Sequence, residues 1–208
     1  MVIAIDGPAA SGKGTLARRL ATHLGIPHLD TGLLYRAVAA AMMDRDLPLA
    51  DAGRAGAVAR ALQADWLDGE RLRGEAVGEA ASIVSAHAQV RDALLDFQRR
   101  FAAQPGGAVL DGRDIGTVVC PDAEVKLFVT ASADERARRR RDELAALGKL
   151  VTTDAVREDI HRRDRRDEDR AAAPLRQSDG AHRLDTTGLD ADAAFARALD
   201  IIEAARAR

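Results

Sequence analysis

Near the start of the chain, Gly7-Pro8-Ala9-Ala10-Ser11-Gly12-Lys13 has the G-x-x-x-x-G-K spacing that lets a backbone wrap around a phosphate. The glycines allow the chain to curl so that several N–H groups point inward at phosphate oxygens. A helix beginning near Lys13 would add the positive end of its dipole, and the Lys13 ammonium would reach the β- and γ-phosphates of a nucleotide. The next residue is Gly14, so the hydroxyl arrives one place late, on Thr15. In GTPases and motor-like ATPases a Ser or Thr directly after the lysine ligates magnesium. Here that place has no hydroxyl, while Thr15 remains within reach of an α-phosphate.

Three later stretches combine acids, arginines and turn formers. They are Leu29-Asp30-Thr31-Gly32-Leu33-Leu34-Tyr35-Arg36, Asp111-Gly112-Arg113-Asp114-Ile115-Gly116-Thr117-Val118-Val119, and the run from Arg163 to Arg170 followed by Ala173-Pro174-Leu175. Arginine binds phosphate in bidentate fashion, and a carboxylate can accept from an amino group. Plainer roles compete. Asp30 and Thr31 suit a helix cap, and Arg36 alone reads as a solvated arginine. Asp111-Gly112 could be a turn after a strand, but a turn does not explain Arg113 and Asp114 at the carboxyl end of a parallel strand, where such folds place ligands. Arg165, Arg166 and Glu168 read as an intrahelical ladder of ion pairs. Arg163 and Asp167 stand at i and i+4, so one helix face presents both.

Strands and helices must carry these groups. Val2–Ile5 is a continuous apolar run, which predicts a buried parallel strand. Leu16, Leu20 and Leu24 recur on one face of a helix that stops near Gly25. An extended piece over Ile26–Leu29 leads to a helix over Leu33–Met43. The stretch from Leu47 to about Val77 is rich in Ala and Gly, with a short hairpin expected at Asp68-Gly69. A long helix is expected over Val90–Ala103, strands over Ala108–Leu110 and Val125–Val129, and two helices between Asp134 and Arg170. A last strand, His182–Leu184, precedes an amphipathic C-terminal helix. This alternation predicts an α/β fold, a parallel sheet covered on both faces by helices.

The chain has 208 residues, enough for one domain with a sizeable core. A net charge of −2, with one Trp and one Tyr, argues against a nucleic-acid binder. The single Cys120 excludes an internal disulfide and reads as a small hydrophobe near a strand end. No run reaches transmembrane length, and the first strand follows Met1 without a signal-peptide pattern. A cytoplasmic protein without membrane partners is expected, and nothing asks for more than a monomer.

With Lys13-Gly14-Thr15 in front, the three later stretches in this order closely resemble bacterial cytidylate kinases, members of the nucleoside monophosphate kinase family. The likeness runs nearly end to end and includes Leu184-Asp185-Thr186-Thr187. It implies the P-loop kinase fold and transfer of the γ-phosphate of ATP to CMP or dCMP. Gly7, Pro8, Ala9, Ala10, Ser11, Gly12, Lys13, Gly14 and Thr15 would hold ATP, with Mg²⁺ arriving on ATP and no direct protein ligand. Asp114 would accept from the cytosine amino group, with Arg91 and Ser82 donating to its ring acceptors. Uracil would set an oxygen against that carboxylate, which costs the desolvation of both. Arg36, Arg113 and Arg170 would grip the acceptor phosphate, and Thr31, Arg163 and Asp167 the sugar side. Lys13, Arg113 and Arg170 would be the catalytic residues.

The family organisation implies one kinase domain over 1–208, with an acceptor-binding region over about 31–105 and a lid over about 146–160. The small lobe at about 60–80 looks shortened. Lid arginines contacting ATP would come from Arg136–Arg141 or Arg157–Arg162. Two rivals are weighed: another small P-loop kinase acting on UMP, AMP or a shikimate-like acceptor, and a nucleotide-binding module without catalysis. The cytosine-reading set argues against the first, and the absence of an N-K-x-D motif and the position of Thr15 argue against the second.

Overall fold

The structure, a computed structural model, describes residues 1–67, 72 and 74–206. Five strands form one parallel sheet: β1 (Val2–Asp6), β2 (His28–Asp30), β3 (Ala108–Gly112), β4 (Val125–Thr130) and β5 (His182–Asp185), in the order β2-β3-β1-β4-β5. The apolar run around Ile3 and Ile5 makes β1 the central strand, and both isoleucines are fully buried. Helices α1 (Lys13–Leu24), α2 (Thr31–Met43), α3 (Ala52–Arg60), α4 (Glu75–Val84), α5 (Ala88–Ala102), α6 (Ala133–Ala146), α7 (Thr153–Asp169) and α8 (Ala191–Arg206) cover the sheet. The expected α/β architecture is present.

Two cores lie on opposite faces. One packs Leu34, Val38, Val84, Val90 and Leu94 from α2, α4 and α5 against Ala4 and Leu110 of the sheet. The other packs Leu16 and Leu20 of α1 and Ala198 and Ile202 of α8 against Ile3, Ile5 and Leu127. Leu24, the third leucine of the α1 stripe, packs against this second core while half-buried. Gly25 ends α1 at φ 64°, the left-handed turn that glycine adopts without steric cost.

A third, smaller core of Ala137, Leu144, Val156 and Ile160 joins α6 to α7 and stands apart from the sheet. The connection after α6 exposes Leu147 and Leu150, the latter 99% accessible.

The structure departs from the sequence reading in three places. Thr31 is not the cap of α2: Asp30 is, its carboxylate accepting from Gly32 N at 3.0 Å, and Thr31 instead donates its hydroxyl to Asp111 O at 2.8 Å. Helix α4 starts at the end of the Ala- and Gly-rich stretch and runs on through residues for which the sequence predicts no element, and its small residues Ala80 and Ala81 let it press on α2. Arg166 does not join an intrahelical ladder; its guanidinium reaches Glu79 on α4 at 2.5 Å. The hairpin expected at Asp68-Gly69 falls outside the described residues, as does part of the small lobe.

Register then sets the site. Ile5 and Asp30 both pair with Asp111, and Asp6 pairs with Gly112. The carboxyl ends of β1, β2 and β3 therefore end level, side by side, where parallel sheets bind ligands.

Candidate active site

β1 runs straight into the phosphate loop. Gly7 passes so close behind β4 that a Cβ there would lie 2.0 Å from Val129 O. Gly12 has φ 87° at the mouth of α1, and no side chain caps that helix. The first-turn amides of α1 therefore have no partner within the helix and are open to an anion. Side chains tie down the loop's carbonyls from behind. Arg136 Nη1 donates to Ala9 O at 3.2 Å, and Thr186 Oγ1 donates to Ser11 O at 3.1 Å. Lys13 Nζ donates to Pro8 O at 3.3 Å. Burial and the neighbouring positive charge of Arg113 bring the Lys13 ammonium down to about 8.

Residues Ala9 to Thr15 line a central cleft of about 500 Å³, large enough for a nucleotide's phosphates. Gly7 and Pro8 shape the loop from outside that lining. Across the cleft stand Arg36, Arg113, Arg140 and Arg163. Burial and the charges of Arg163 and Arg140 disfavour the Arg36 cation. An anion entering among these arginines would relieve that repulsion.

The cleft continues into a second cavity lined by every residue assigned above to the acceptor: Thr31, Arg36, Ser82, Arg91, Arg113, Asp114, Arg163, Asp167 and Arg170. Gly32, Arg36, Gly112, Arg113 and Arg163 border both spaces. At its inner end Arg91 Nη2 donates to Asp114 Oδ2, with its other Nη held by Ser85 O at 3.2 Å. The Arg91 guanidinium also stacks 5.3 Å from the centre of the Tyr35 ring. Arg170 stands 3.7 Å from Asp114, and Arg113 Nε donates to Asp167 Oδ2 at 2.7 Å. Arg163 Nη2 and Arg170 Nη2 are buried without a hydrogen-bond partner among the described residues. Buried guanidinium N–H groups left unpaired are costly, and a ligand oxygen would satisfy them.

Two groups go beyond the sequence reading. Asp30 and Asp111 both face the cleft beside Lys13. Burial and the Asp111 charge push the Asp30 carboxyl upward. His28 Nε2 lies 2.7 Å from Asp111 Oδ1. The stretches that contain these acids were noted, but each was given a purely structural role. The second group lines a further pocket of about 300 Å³, bounded by Thr15, Leu16, Arg138, Arg139, Thr186 and Leu189. In this lining Thr15 is one of the residues expected to hold ATP, Arg138 and Arg139 fall within the Arg136–Arg141 range, and Thr186 belongs to Leu184-Asp185-Thr186-Thr187, while the pocket they form together with Leu189 has no counterpart in the sequence pattern.

The arginines of α6 and α7 divide clearly. Arg136 is held by Ala131 O and Asp164, and Arg139 by Glu135 and by Thr186 O at 2.7 Å. Arg140 faces the cleft and pairs with Glu143 at 2.8 Å. Arg157 faces away, between Asp134 and Asp154. Cys120 is half-buried, and burial pushes its thiol up to about 11, which removes it as a nucleophile.

The model of the cytidylate kinase family matches residues 3–204. A cytidylate kinase from Methylobacterium sp. (strain 4-46) is 67% identical over 204 residues, covering 98% of this chain and 97% of the relative. One from Xanthobacter autotrophicus (strain ATCC BAA-1158 / Py2) is 61% identical over 207 residues, covering 100% and 99%. A solved structure of an uncharacterized protein from Eubacterium ventriosum ATCC 27560 superposes with a TM-score of 0.59 over 98% of each chain at 16% identity, a likeness of fold. The match over nearly the whole length, together with relatives at 61–67% identity, shows that the chain belongs to the cytidylate kinase family.

Proposed function

We propose that this protein transfers the γ-phosphoryl group of ATP to CMP or dCMP, giving ADP and CDP or dCDP. The observation that carries the reading is the shared border of the two spaces: Arg36, Arg113 and Arg163 line both the loop-side cleft and the acceptor cavity. Two phosphates entering from opposite sides would meet among these cations.

In this reading an oxygen of the ionised acceptor phosphate attacks the γ-phosphorus as the bond from that phosphorus to the β-bridging oxygen breaks. The nucleophile is already an anion, so no side chain needs to take up a proton. Catalysis is alignment plus neutralisation of spreading charge. Lys13 bridges the transferring group from the donor side, and Arg113 and Arg170 hold the acceptor phosphate with Arg36. Asp114 takes the cytosine amino group, with Arg91 and Ser82 on the ring acceptors. Thr31, Arg163 and Asp167 face the sugar. The first-turn amides of α1 bind the donor phosphates, and Thr15 reaches the α-phosphate.

Mg²⁺ fits the residues present. The described residues contain no cluster of three or more metal-binding side chains, so the ion would depend on ATP for most of its ligands. The sequence pattern led to no direct protein ligand, but Asp30 and Asp111 would hold the ion, since a divalent cation offsets the repulsion that disfavours the Asp30 carboxylate. When bound, it neutralises charge on the β- and γ-phosphate oxygens.

The acceptor cavity measures only about 110 Å³, less than a nucleotide fills, so binding must spread its walls. The α6–α7 pair with its separate small core suits a lid over about 146–160 that moves as a unit and excludes water. Arg140 is the arginine of this unit best placed for the transferring phosphate, and Arg139 borders the pocket that suits the adenosine of ATP. The acceptor-binding region would run over about 31–105. The site is assembled from one chain, which suits a monomer, and the single cysteine suits the cytoplasm.

The test is a coupled assay of ADP release with Mg·ATP against CMP, dCMP, UMP, AMP and shikimate. CMP and dCMP should turn over with the highest kcat/KM. A preference for UMP, AMP or shikimate would displace the cytosine reading, and fast ADP release without acceptor would remove the water-excluding lid.

A further inference from the structure

Asp6 lies outside the cleft lining and has no part in the steps above. It is 3% exposed, at the end of the central strand. Its two oxygens accept from two successive amides, Oδ1 from Ile115 N and Oδ2 from Gly116 N, each at 2.8 Å. Those amides follow directly on Asp114. Residues Ile115–Val119 form a single π-helical turn, and no side chain of its own caps that turn. Val118 N and Val119 N both donate back to Asp114 O, at 2.9 and 3.2 Å. The backbone of Asp114 is thus held on one side by its own turn and on the other by Asp6, from 109 residues away in sequence.

A helical turn cannot satisfy its first amides internally. A carboxylate satisfies two of them at once, because it offers an acceptor on each oxygen. The packing leaves little slack. A Cβ on Gly116 would come within 3.4 Å of Asp6 Oδ2 and 2.6 Å of Ser178 Oγ. A shift of this turn therefore moves Asp114, the residue above it in the acceptor cavity.

We propose that Asp6 is a positioning residue for base selection: by holding the amides of Ile115 and Gly116 it fixes the direction of the Asp114 carboxylate, and with it the choice of cytosine over uracil. This inference rests on the reading that Asp114 meets the cytosine amino group. A neutral Asn at position 6 presents one acceptor and one N–H group, so one of the two amides loses its partner. Protonation of Asp6 has the same consequence. Burial raises its carboxyl to about 6 against the lowering pull of the two amides. The charged or titratable groups facing it are Asp114 and Arg113 from the end of β3, Cys120 from the end of the turn, and the Lys126 stem from β4.

The experiment compares kcat/KM for CMP and for UMP in the native protein, Asp6→Asn and Asp114→Ala. Asp6→Asn should lower the CMP-to-UMP ratio about tenfold, mainly through KM for CMP, as expected for one lost charge-assisted hydrogen bond. KM for ATP should change less than about threefold, since the amides of α1 are untouched. If Asp114→Ala abolishes the ratio and Asp6→Asn keeps it, the positioning role is overturned while the base reading stands. If Asp114→Ala keeps the ratio, the base reading itself falls. An equal rise in KM for ATP and CMP in Asp6→Asn also overturns the proposal. Should Asp6→Asn fail to fold, the native ratio between pH 8 and pH 5.5 decides, because the phosphate titrates alike in both substrates and divides out. The ratio should fall at least about twofold across that range as Asp6 takes up its proton, and a flat ratio overturns the proposal.

Discussion

On the proposed donor side, one continuous stretch from Gly7 to Thr15 forms the phosphate-facing surface, and most of that surface is backbone. On the acceptor side, Thr31, Ser82, Arg91, Asp114 and Arg170 come from separate elements and meet only in the folded chain. The loop depends on where glycines permit close approach, as Gly7 does behind Val129. The acceptor cavity depends on side-chain charge, and it balances that charge internally: Arg91 on Asp114, Arg113 on Asp167. A backbone nest binds any phosphate chain. A cavity of paired charges can tell one base from another, because each ligand group must replace a partner already present.

The sharpest break in this comparison is Lys13→Ala, which removes the side chain proposed to bridge the transferring group from the donor side. It should lower kcat by about 10³-fold or more while circular dichroism stays native, since removing a charge at the transferring group costs several kcal/mol. Retention of rate would reduce the donor side to backbone alone. Asp114→Ala tests the acceptor side and should cut kcat/KM for CMP by about 10²-fold, with KM for ATP nearly unchanged. Equal losses for both substrates would erase the division between the two sides.

Acidity offers a smaller, graded test. Lys13 titrates near 8 in the free protein, and only its protonated form carries the charge. The pH profile of kcat/KM for ATP should therefore bend downward on the alkaline side and be half lost near pH 8. A profile flat to pH 9 would mean that Lys13 keeps its proton and that the cleft is better solvated than its geometry indicates. The smallest effect is expected at Arg54, whose 3.3 Å pair with Asp51 is 60% exposed on the arginine side. Arg54→Ala should change stability by less than about 0.5 kcal/mol and leave all kinetic constants in place, because water screens such pairs. A large loss there would put charge pairing at the surface on the same footing as the buried pairs of the cavity.

The legibility of the site follows the same division. The glycine loop could be read from spacing because its geometry is local: the strand, the curl and the helix start are contiguous in sequence. Helix α4 was not legible. Its segment Glu75–Val84 has a glycine in its middle and alanines on its packing face, and small residues give little periodic signal. Its position became meaningful only once Ala80 and Ala81 were found against α2. Asp30 shows another limit. Its capping role was expected of its neighbour Thr31 as well, and the facing acid Asp111 is visible only through the register of β2 and β3. Arg166 was assigned to its own helix because spacing alone favours such pairs, while the fold placed Glu79 of another helix nearer its guanidinium.

By itself, the sequence determined the alternation of strands and helices, the glycine loop between β1 and α1, and which charged side chains line the proposed acceptor cavity. These follow from periodicity, from where glycine is needed, and from residue types repeated in a family's order. Tertiary structure decided which charges pair, that the two spaces share Arg36, Arg113 and Arg163, and that Asp6 reaches across the sheet to the turn behind Asp114. Ion pairs and hydrogen bonds act over a few ångströms, and only the register of the strands brings residues a hundred positions apart within that reach.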